Sequence, residues 1–313
     1  MVATPPEAHN AAVSALTGAA LGDALQTVAE RLDAAGLCFG HGTDNAWDEA
    51  VLLVLSACDL PVEAGDEVLD YRVEGAQAQR IERWLEGRIK QRQPLPYLIG
   101  RAWFAGLEFA CDARALVPRS PLAEVIRDGF APWWSTDEPQ RLLDLCCGGG
   151  SIGIASAVYN PPLQVMLADI SPDALELARE NVTRHRVGNR VQCLESDLFD
   201  AIGPERFDII LCNPPYVNRE DLASMPAEYS AEPALGLGSG ADGLDITRRI
   251  LREAGAFLAP RGLLFLELGN SWTALDELLA ALPLTWLEFR HGGHGVLLLR
   301  AEELPAAARA LEG

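Results

Sequence analysis

Asn213-Pro214-Pro215-Tyr216 follows directly on the apolar run Phe207 to Cys212. A residue before proline is pushed away from helical geometry toward extended backbone. Pro214 and Pro215 each lack a backbone donor. The tetrapeptide therefore takes the chain sharply out of a strand, with carbonyl oxygens and one side-chain amide facing outward and an aromatic ring beside them. Such a set of acceptors can grip a planar –NH2 group. A strand ending in a proline turn would explain these four residues by themselves, so the chemistry depends on what lies upstream.

Upstream, Arg141-Leu-Leu-Asp-Leu-Cys-Cys-Gly-Gly-Gly-Ser-Ile-Gly-Ile reads as a buried parallel strand (Leu142 to Cys146), a glycine loop and a helix (Ser151 to Val158). Gly148, Gly149 and Gly150 have no Cβ, which lets a ligand approach the backbone. The loop lacks the G-x-G-x-x-G spacing of dinucleotide folds and the Lys of a phosphate-binding P-loop. An adenosine ligand without phosphate fits better. Next, Leu163 to Ala168 reads as a strand ending at Asp169, where doubly wound folds hold ribose hydroxyls. A helix follows through about Arg186, with Ser171 its better N-cap candidate. A third strand, Val191 to Leu194, runs into Asp197, with Leu198 beside it as an apolar neighbour. Asp144, Asp169 and Asp197 thus lie at three successive strand ends, with Asn213 at the fourth.

This order of motifs (LDLCCGGG, AD, SD, NPPY) resembles S-adenosylmethionine-dependent methyltransferases that act on planar nitrogens, and more narrowly the protein glutamine methyltransferases. One branch of that family modifies peptide release factors, the other the third protein of the large ribosomal subunit. Residues 39 to 50 (FGHGTDNAWDEA) resemble the N-terminal signature of the ribosomal-protein branch. Residues 103 to 121 (WFAGLEFACDARALVPRSP) are similar to its hairpin and to the VPRSP segment that leads into its catalytic domain. The PRPxTE pattern of the release-factor branch is absent. Trp286-Leu-Glu-Phe and Gly292 to Val296 resemble the branch's C-terminal strand pair. The likeness runs from about residue 25 to the end. Departures are the three consecutive glycines after Cys146-Cys147, and loose differences at 112–114 and 136–140.

The resemblance implies an α/β fold with a doubly wound seven-stranded sheet, a small N-terminal helical domain and a linking β-hairpin. It implies S-adenosyl-L-methionine as cofactor, with the backbone of Cys146, Cys147, Gly148, Gly149 and Gly150 at its methionine end, Asp169 at the ribose, and Asp197 with Leu198 framing the adenine. Asp144 either orders the glycine loop, faces the amino group, or is a strand-end acid with no ligand contact. The Asn213 side-chain oxygen and the Pro214 carbonyl are expected to accept hydrogen bonds from the substrate –NH2. Pro215 completes the rigid turn. Tyr216 is expected to pack over the substrate amide, with Phe104 closing the other side; plain core packing is an equal reading of Phe104. An amide nitrogen is a poor nucleophile, and positioning of this kind supplies about 7–11 kcal/mol in favourable cases. No general base and no metal is expected: the five histidines form no convergent set, His41 reads as a loop residue before a substrate contact, and His291 and His294 flank a glycine pair.

The elements that must position these residues are legible as patterns. Ala19 to Leu37, Trp47 to Cys58 and Ala76 to Gln91 have apolar residues at helical spacing, with Thr43, Asp44 and Asn45 as caps for the second. Residues 1–93 read as a helical substrate-recognition domain. Residues 94–117 read as linker and hairpin, opening at the helix-breaking Pro94 and Pro96, with Ala102 to Val117 alternating like paired strands. From 118 to 313, strands alternate with helices as in a parallel sheet. The Ala-rich tail from Pro305 to Gly313 reads as a frayed end.

Composition bounds the function. The chain carries 45 acids against 25 bases, a net charge of −20. Nucleic-acid binding draws on cationic contacts to phosphate, so direct nucleic-acid binding is not expected, and Arg83, Arg88, Arg92 and Arg101 read as a solvated helix face. An acidic surface suits a basic polypeptide, such as a large-subunit ribosomal protein, by steering its approach. No apolar run reaches the roughly 20 residues of a membrane span. The N-terminus, with Pro5, Pro6 and no basic residue before Arg31, does not read as a signal peptide. Seven cysteines without C-x-x-C suit reduced thiols and a cytoplasmic location, and adjacent Cys146 and Cys147 read as small buried hydrophobes. Three other functions compete: methylation of an exocyclic amine in a nucleic-acid base, glutamine methylation of release factors, and a non-catalytic ribosome assembly factor. The first predicts a basic face, the second is disfavoured by VPRSP and GHGTDN, and the third by an intact NPPY with all three rim acids.

Overall fold

The computed structural model describes residues 12–134 and 140–311. The prolines at 5 and 6 and most of the loosely matching stretch 136–140 lie outside the described residues. Contacts divide the chain into two units, Met1–Arg101 with Pro226–Ala231, and Ala102–Met225 with Glu232–Gly313.

The first unit is helical. Helices Leu21–Ala34, Ala46–Ala57 and Gly75–Gln91 bury Leu25, Val28, Leu32, Leu53, Val54, Ile81 and Leu85 in one core. The Asn45 side chain caps the second helix by accepting the Asp48 amide. The third ends at Arg92, whose φ of 55° is left-handed. Pro94 and Pro96 do not extend it but open a short helix, Leu95–Ile99, where the missing proline N–H costs nothing. That helix belongs to the first unit. The solvated face expected for the arginines fails at Arg88, which is 1% exposed. Its guanidinium meets Glu49 at 2.6 Å, Glu228 at 3.4 Å and the Cys38 carbonyl at 2.7 Å. One turn of helix places Arg88 on the inward face beside Leu85, and the planar fork is satisfied there by two carboxylates. His41 is buried and tilts against Tyr229 at 4.6 Å between ring centroids.

From Ala102 the second unit carries most of a hairpin, β1 (Arg101–Phe104) and β2 (Leu107–Ala110), shorter than the alternation to Val117 suggests. A seven-stranded sheet follows: β3 (Arg141–Leu145), β4 (Gln164–Asp169), β5 (Val191–Glu195), β6 (Phe207–Cys212), β7 (Leu258–Glu267), β8 (Thr285–Trp286) and β9 (Val296–Arg300), in the order β5-β4-β3-β6-β7-β9-β8. The first five strands in that order are parallel, and β9 runs antiparallel to β7 and β8. Both faces are covered: Leu142, Val165, Ile209, Leu211 and Phe265 lie in one apolar cluster, Leu143, Leu145, Ile210, Leu264 and Leu266 in the other. Burial on both sides explains why these strands read as continuous apolar runs.

The tail expected to fray instead forms the helix Leu304–Ala310. Leu304 and Ala307, three residues apart on one helical face, are 1% and 0% exposed, and that apolar burial holds the segment in place.

Candidate active site

The chain turns from β3 outward to β4 and β5, then returns past β3 to β6 and β7. Ligands of open α/β sheets bind at the carboxyl ends of strands where the order reverses, here between β3 and β6. Leu145 pairs with both Ala168 and Cys212, Asp169 with Glu195, and Cys212 with Leu266. The ends of all five parallel strands therefore lie in one row, which brings the glycine loop, Asp169, Asp197, Asn213 and Glu267 to a common rim.

The glycine loop is built by its neighbours. Cys146 and Gly148 have φ of 59° and 53°, and Gly150 of 79°, so the chain reverses within five residues. The Gly148 amide donates to Asp169 Oδ2 at 2.8 Å, and the Cys147 amide to the Ala168 carbonyl at 3.1 Å. At Gly150 a Cβ would meet Leu167 at 2.9 Å, whereas at Gly148 it would meet nothing nearer than Ala115 at 3.7 Å. The loop is thus anchored on its inner side and open on its outer one.

Asp144 is fully buried; its Oδ2 accepts the Gly153 amide at 2.7 Å, and its Oδ1 has no hydrogen-bond partner. Burial raises its pKa to about 8, against the Gly153 hydrogen bond and with a smaller push from Asp169. Asp144 thus ties β3 to the first turn of the helix Ser151–Tyr159. Asp169 accepts from Gly148 and, through Oδ1, from the Ser171 amide at 2.9 Å. Burial raises its pKa, opposed by those backbone donors. Each carboxylate oxygen has a second lone pair for a hydroxyl. Asp197 stands half-exposed, paired with Arg249 at 2.9 Å. Leu198 has a left-handed φ of 49° and is buried in the second apolar cluster with Phe199. Cys147 is buried and its thiol raised well above the usual range, first by desolvation; all seven cysteines are free thiols.

Asn213 is partly exposed at the end of β6 and Pro214 is buried. The Asn213 side chain lies beside Glu267 and holds its carboxyl's pKa down. The Tyr216 carbonyl accepts Ser271 Oγ at 2.6 Å. Its ring lies so close to Gly269, φ 46°, that a Cβ there would come within 2.4 Å of Cε2. Phe104 is 5% exposed, edge-on to Phe109 with centroids 6.5 Å apart, inside the first apolar cluster.

Several contributors were not singled out from sequence. Asn181, 1% exposed, accepts the Ala110 amide at 2.7 Å and donates to the Gly149 carbonyl at 3.0 Å, joining hairpin to loop. Glu232 receives both Arg119 nitrogens, at 2.8 and 2.7 Å, and the Val117 amide at 2.9 Å. Ser120 Oγ donates to Glu267 at 2.5 Å. The VPRSP segment is thereby tied down on both sides of Pro118. Glu267 alone left a signal in the sequence, as an acid closing the apolar run Leu263 to Leu266.

The comparisons with known proteins decide the family. Residues 132–228 match the Methyltransferase small domain. A ribosomal protein uL3 glutamine methyltransferase of Francisella tularensis subsp. tularensis is 45% identical over 85% of this chain and 85% of its own length. One of the same name from Xanthomonas campestris pv. campestris is 45% identical over 92% of this chain and 96% of its own. The chain belongs to this glutamine methyltransferase family. Among solved structures, the hMettl16 catalytic domain in complex with a MAT2A 3'UTR hairpin is similar at TM-score 0.49 and 16% identity, over 72% of this chain and 80% of that one, a likeness too distant to inform the site. The family's cofactor is S-adenosyl-L-methionine. The open outer edge of the glycine loop and the spare lone pairs of Asp169 fit its methionine and ribose portions.

Proposed function

We propose that the chain transfers a methyl group to the side-chain amide nitrogen of a glutamine in ribosomal protein uL3. The observation that carries the reading is the 45% identity to two relatives of that name over most of both chains, joined to an Asn213 placed just past the end of β6 at the switch point of the sheet. S-adenosyl-L-methionine supplies an electrophilic methyl on a sulfonium. Asn213 Oδ1 and the Pro214 carbonyl accept the two substrate N–H groups, which orients the nitrogen and concentrates its lone pair toward the methyl. Tyr216 packs over the substrate amide. Asp169 takes the ribose hydroxyls, Asp197 and Leu198 border the adenine, and the Cys146–Gly150 backbone borders the methionine end. The methylated nitrogen gives up its proton to solvent, so no side chain is needed as base. Burial of the reacting centre favours a transition state in which the sulfonium charge is being lost.

The acidic balance, 45 acids to 25 bases, supports a basic protein partner over direct contact with nucleic-acid phosphates. Among the described residues no helix is long and apolar enough to cross a membrane, and a ribosomal protein as substrate, together with the seven free thiols of this chain, suits the cytoplasm. The test is intact-protein mass spectrometry of unmodified uL3 and of a release factor, each incubated with enzyme and S-adenosyl-L-methionine. A single methyl gained by uL3 alone is expected. A gain by the release factor alone would place the chain in the other branch.

A further inference from the structure

Glu267 ends β7, is 4% exposed, and has no part in the roles set out above. Because Cys212 pairs with Leu266, residues 213 and 267 leave the sheet side by side. Ser120 Oγ donates to this buried acid at 2.5 Å, and the Asn213 side chain beside it lowers its pKa as a donor would. An ionised carboxyl can only accept, so the Asn213 atom facing it is the donor Nδ2.

We propose that Glu267 is a positioning residue for methyl transfer: by holding Asn213 Nδ2 it fixes Oδ1 as the atom offered to the substrate nitrogen, and Ser120 holds Glu267 in place for this. The assignment of Oδ1 to the substrate rests on the glutamine-amide reading above. An Asn amide is close to symmetric in shape, and the two ends differ only in what they donate or accept. Rotated by half a turn, Asn213 would present a donor to a substrate –NH2 that itself donates. One buried acceptor behind the amide removes that alternative. The VPRSP segment then has a task at the site: its Arg119 is clamped by Glu232, which sets the adjacent Ser120 against Glu267.

The arrangement is sensitive to protonation, since a protonated carboxyl is also a donor and can pair with Oδ1. Burial raises the Glu267 carboxyl to about 7, opposed by Ser120, the Arg119 charge and Asn213. The groups that face it are Arg119 and Ser120 from the VPRSP segment and, from β6, Asn213 and the Cys212 thiol. Cys212 is raised well above its usual range by burial and so is neutral here; β9 places apolar Val296 opposite.

The test uses full-length protein labelled with nitrogen-15 at asparagine, with the Asn213 side-chain signals identified by their loss in Asn213→Ser. In the wild type those signals are expected to titrate with a midpoint near 7. The titration should vanish in Glu267→Gln and move to higher pH in Ser120→Ala, which loses a stabilising donor. With uL3 as substrate, Glu267→Gln should lose the acid limb of the kcat profile and about tenfold or more in kcat. Its KM for S-adenosyl-L-methionine should not move. Asn213 signals that do not titrate, or that titrate unchanged in Glu267→Gln, overturn the proposal, as does a wild-type kcat in that variant. If Glu267→Gln does not fold, judged by S-adenosylhomocysteine calorimetry, the shift in Ser120→Ala decides. The expected titration in an enzyme that leaves uL3 unmethylated would support the Glu267–Asn213 assignment and overturn the substrate reading instead.

Discussion

Asp144 Oδ2 accepts the Gly153 amide at 2.7 Å, which ties β3 to the first turn of the helix Ser151–Tyr159. The first four amides of a helix have no partner within it, and here a buried acid from the preceding strand supplies one. The bend of the glycine loop between them is set by this bond and by the lack of side chains at 148, 150 and 153.

Gly153→Ala tests that packing. Its Cβ would lie 2.3 Å from Leu167 Cδ2 and 2.9 Å from Asp144 Cβ. Overpacking of this kind costs about 1–3 kcal/mol. Urea denaturation should show a loss of at least that size, and calorimetry a weaker S-adenosylhomocysteine affinity. A variant matching wild type in both would mean that the loop has slack.

Asp144→Asn tests the electrostatics. The folded carboxyl titrates near 8 against an ordinary 3.8. Between those values the native state binds more protons than the unfolded one. The Asp144 contribution is therefore complete below about pH 4 and lost as pH rises toward 8, by at most about 1.4 kcal/mol per pH unit. An asparagine side chain does not titrate. The stability of the Asp144→Asn variant relative to wild type should accordingly rise from pH 5 to pH 8 in chemical denaturation, while an unchanged difference would mean that Asp144 ionises normally.

Most of the sheet's rim was legible because parallel strands buried on both faces advertise themselves as apolar runs, and the acid or amide that ends each run marks the rim. Cys212–Asn213 is read in this way; Ser171 is a cap placed from side-chain chemistry alone, whereas for the second helix the sequence offers Thr43, Asp44 and Asn45, of which Asn45 caps. Arg88 was not legible: from composition an arginine on a polar helix reads as solvated, and its partners Glu49 and Glu228 lie 39 and 140 residues away. The contact between Ser120 and Glu267, 147 residues apart, was hidden for the same reason. Helical spacing also underlies the tail, where Leu304 and Ala307 bury a face that an Ala-rich composition concealed.

Arg88→Met should destabilise the protein strongly, because it leaves buried Glu49 without its cation, while Glu228 keeps Arg92 at 3.3 Å. Removing one partner from a buried pair costs about 3–5 kcal/mol. Arg88→Lys should recover little, since an ammonium cannot reproduce the fork to two carboxylates and the Cys38 carbonyl. Thermal denaturation checks both, and a near wild-type midpoint for the Lys variant would show that charge alone suffices.

The most direct measurement is single-turnover methyl transfer to uL3 at saturating S-adenosyl-L-methionine, comparing wild type with Asn213→Ala and locating the methyl by peptide mass spectrometry. Loss of one oriented acceptor is expected to slow transfer by about a hundredfold or more, with S-adenosylhomocysteine binding retained and the wild-type methyl on a glutamine side chain. Transfer by Asn213→Ala at close to the wild-type rate, or a methyl on any other residue, would contradict the account.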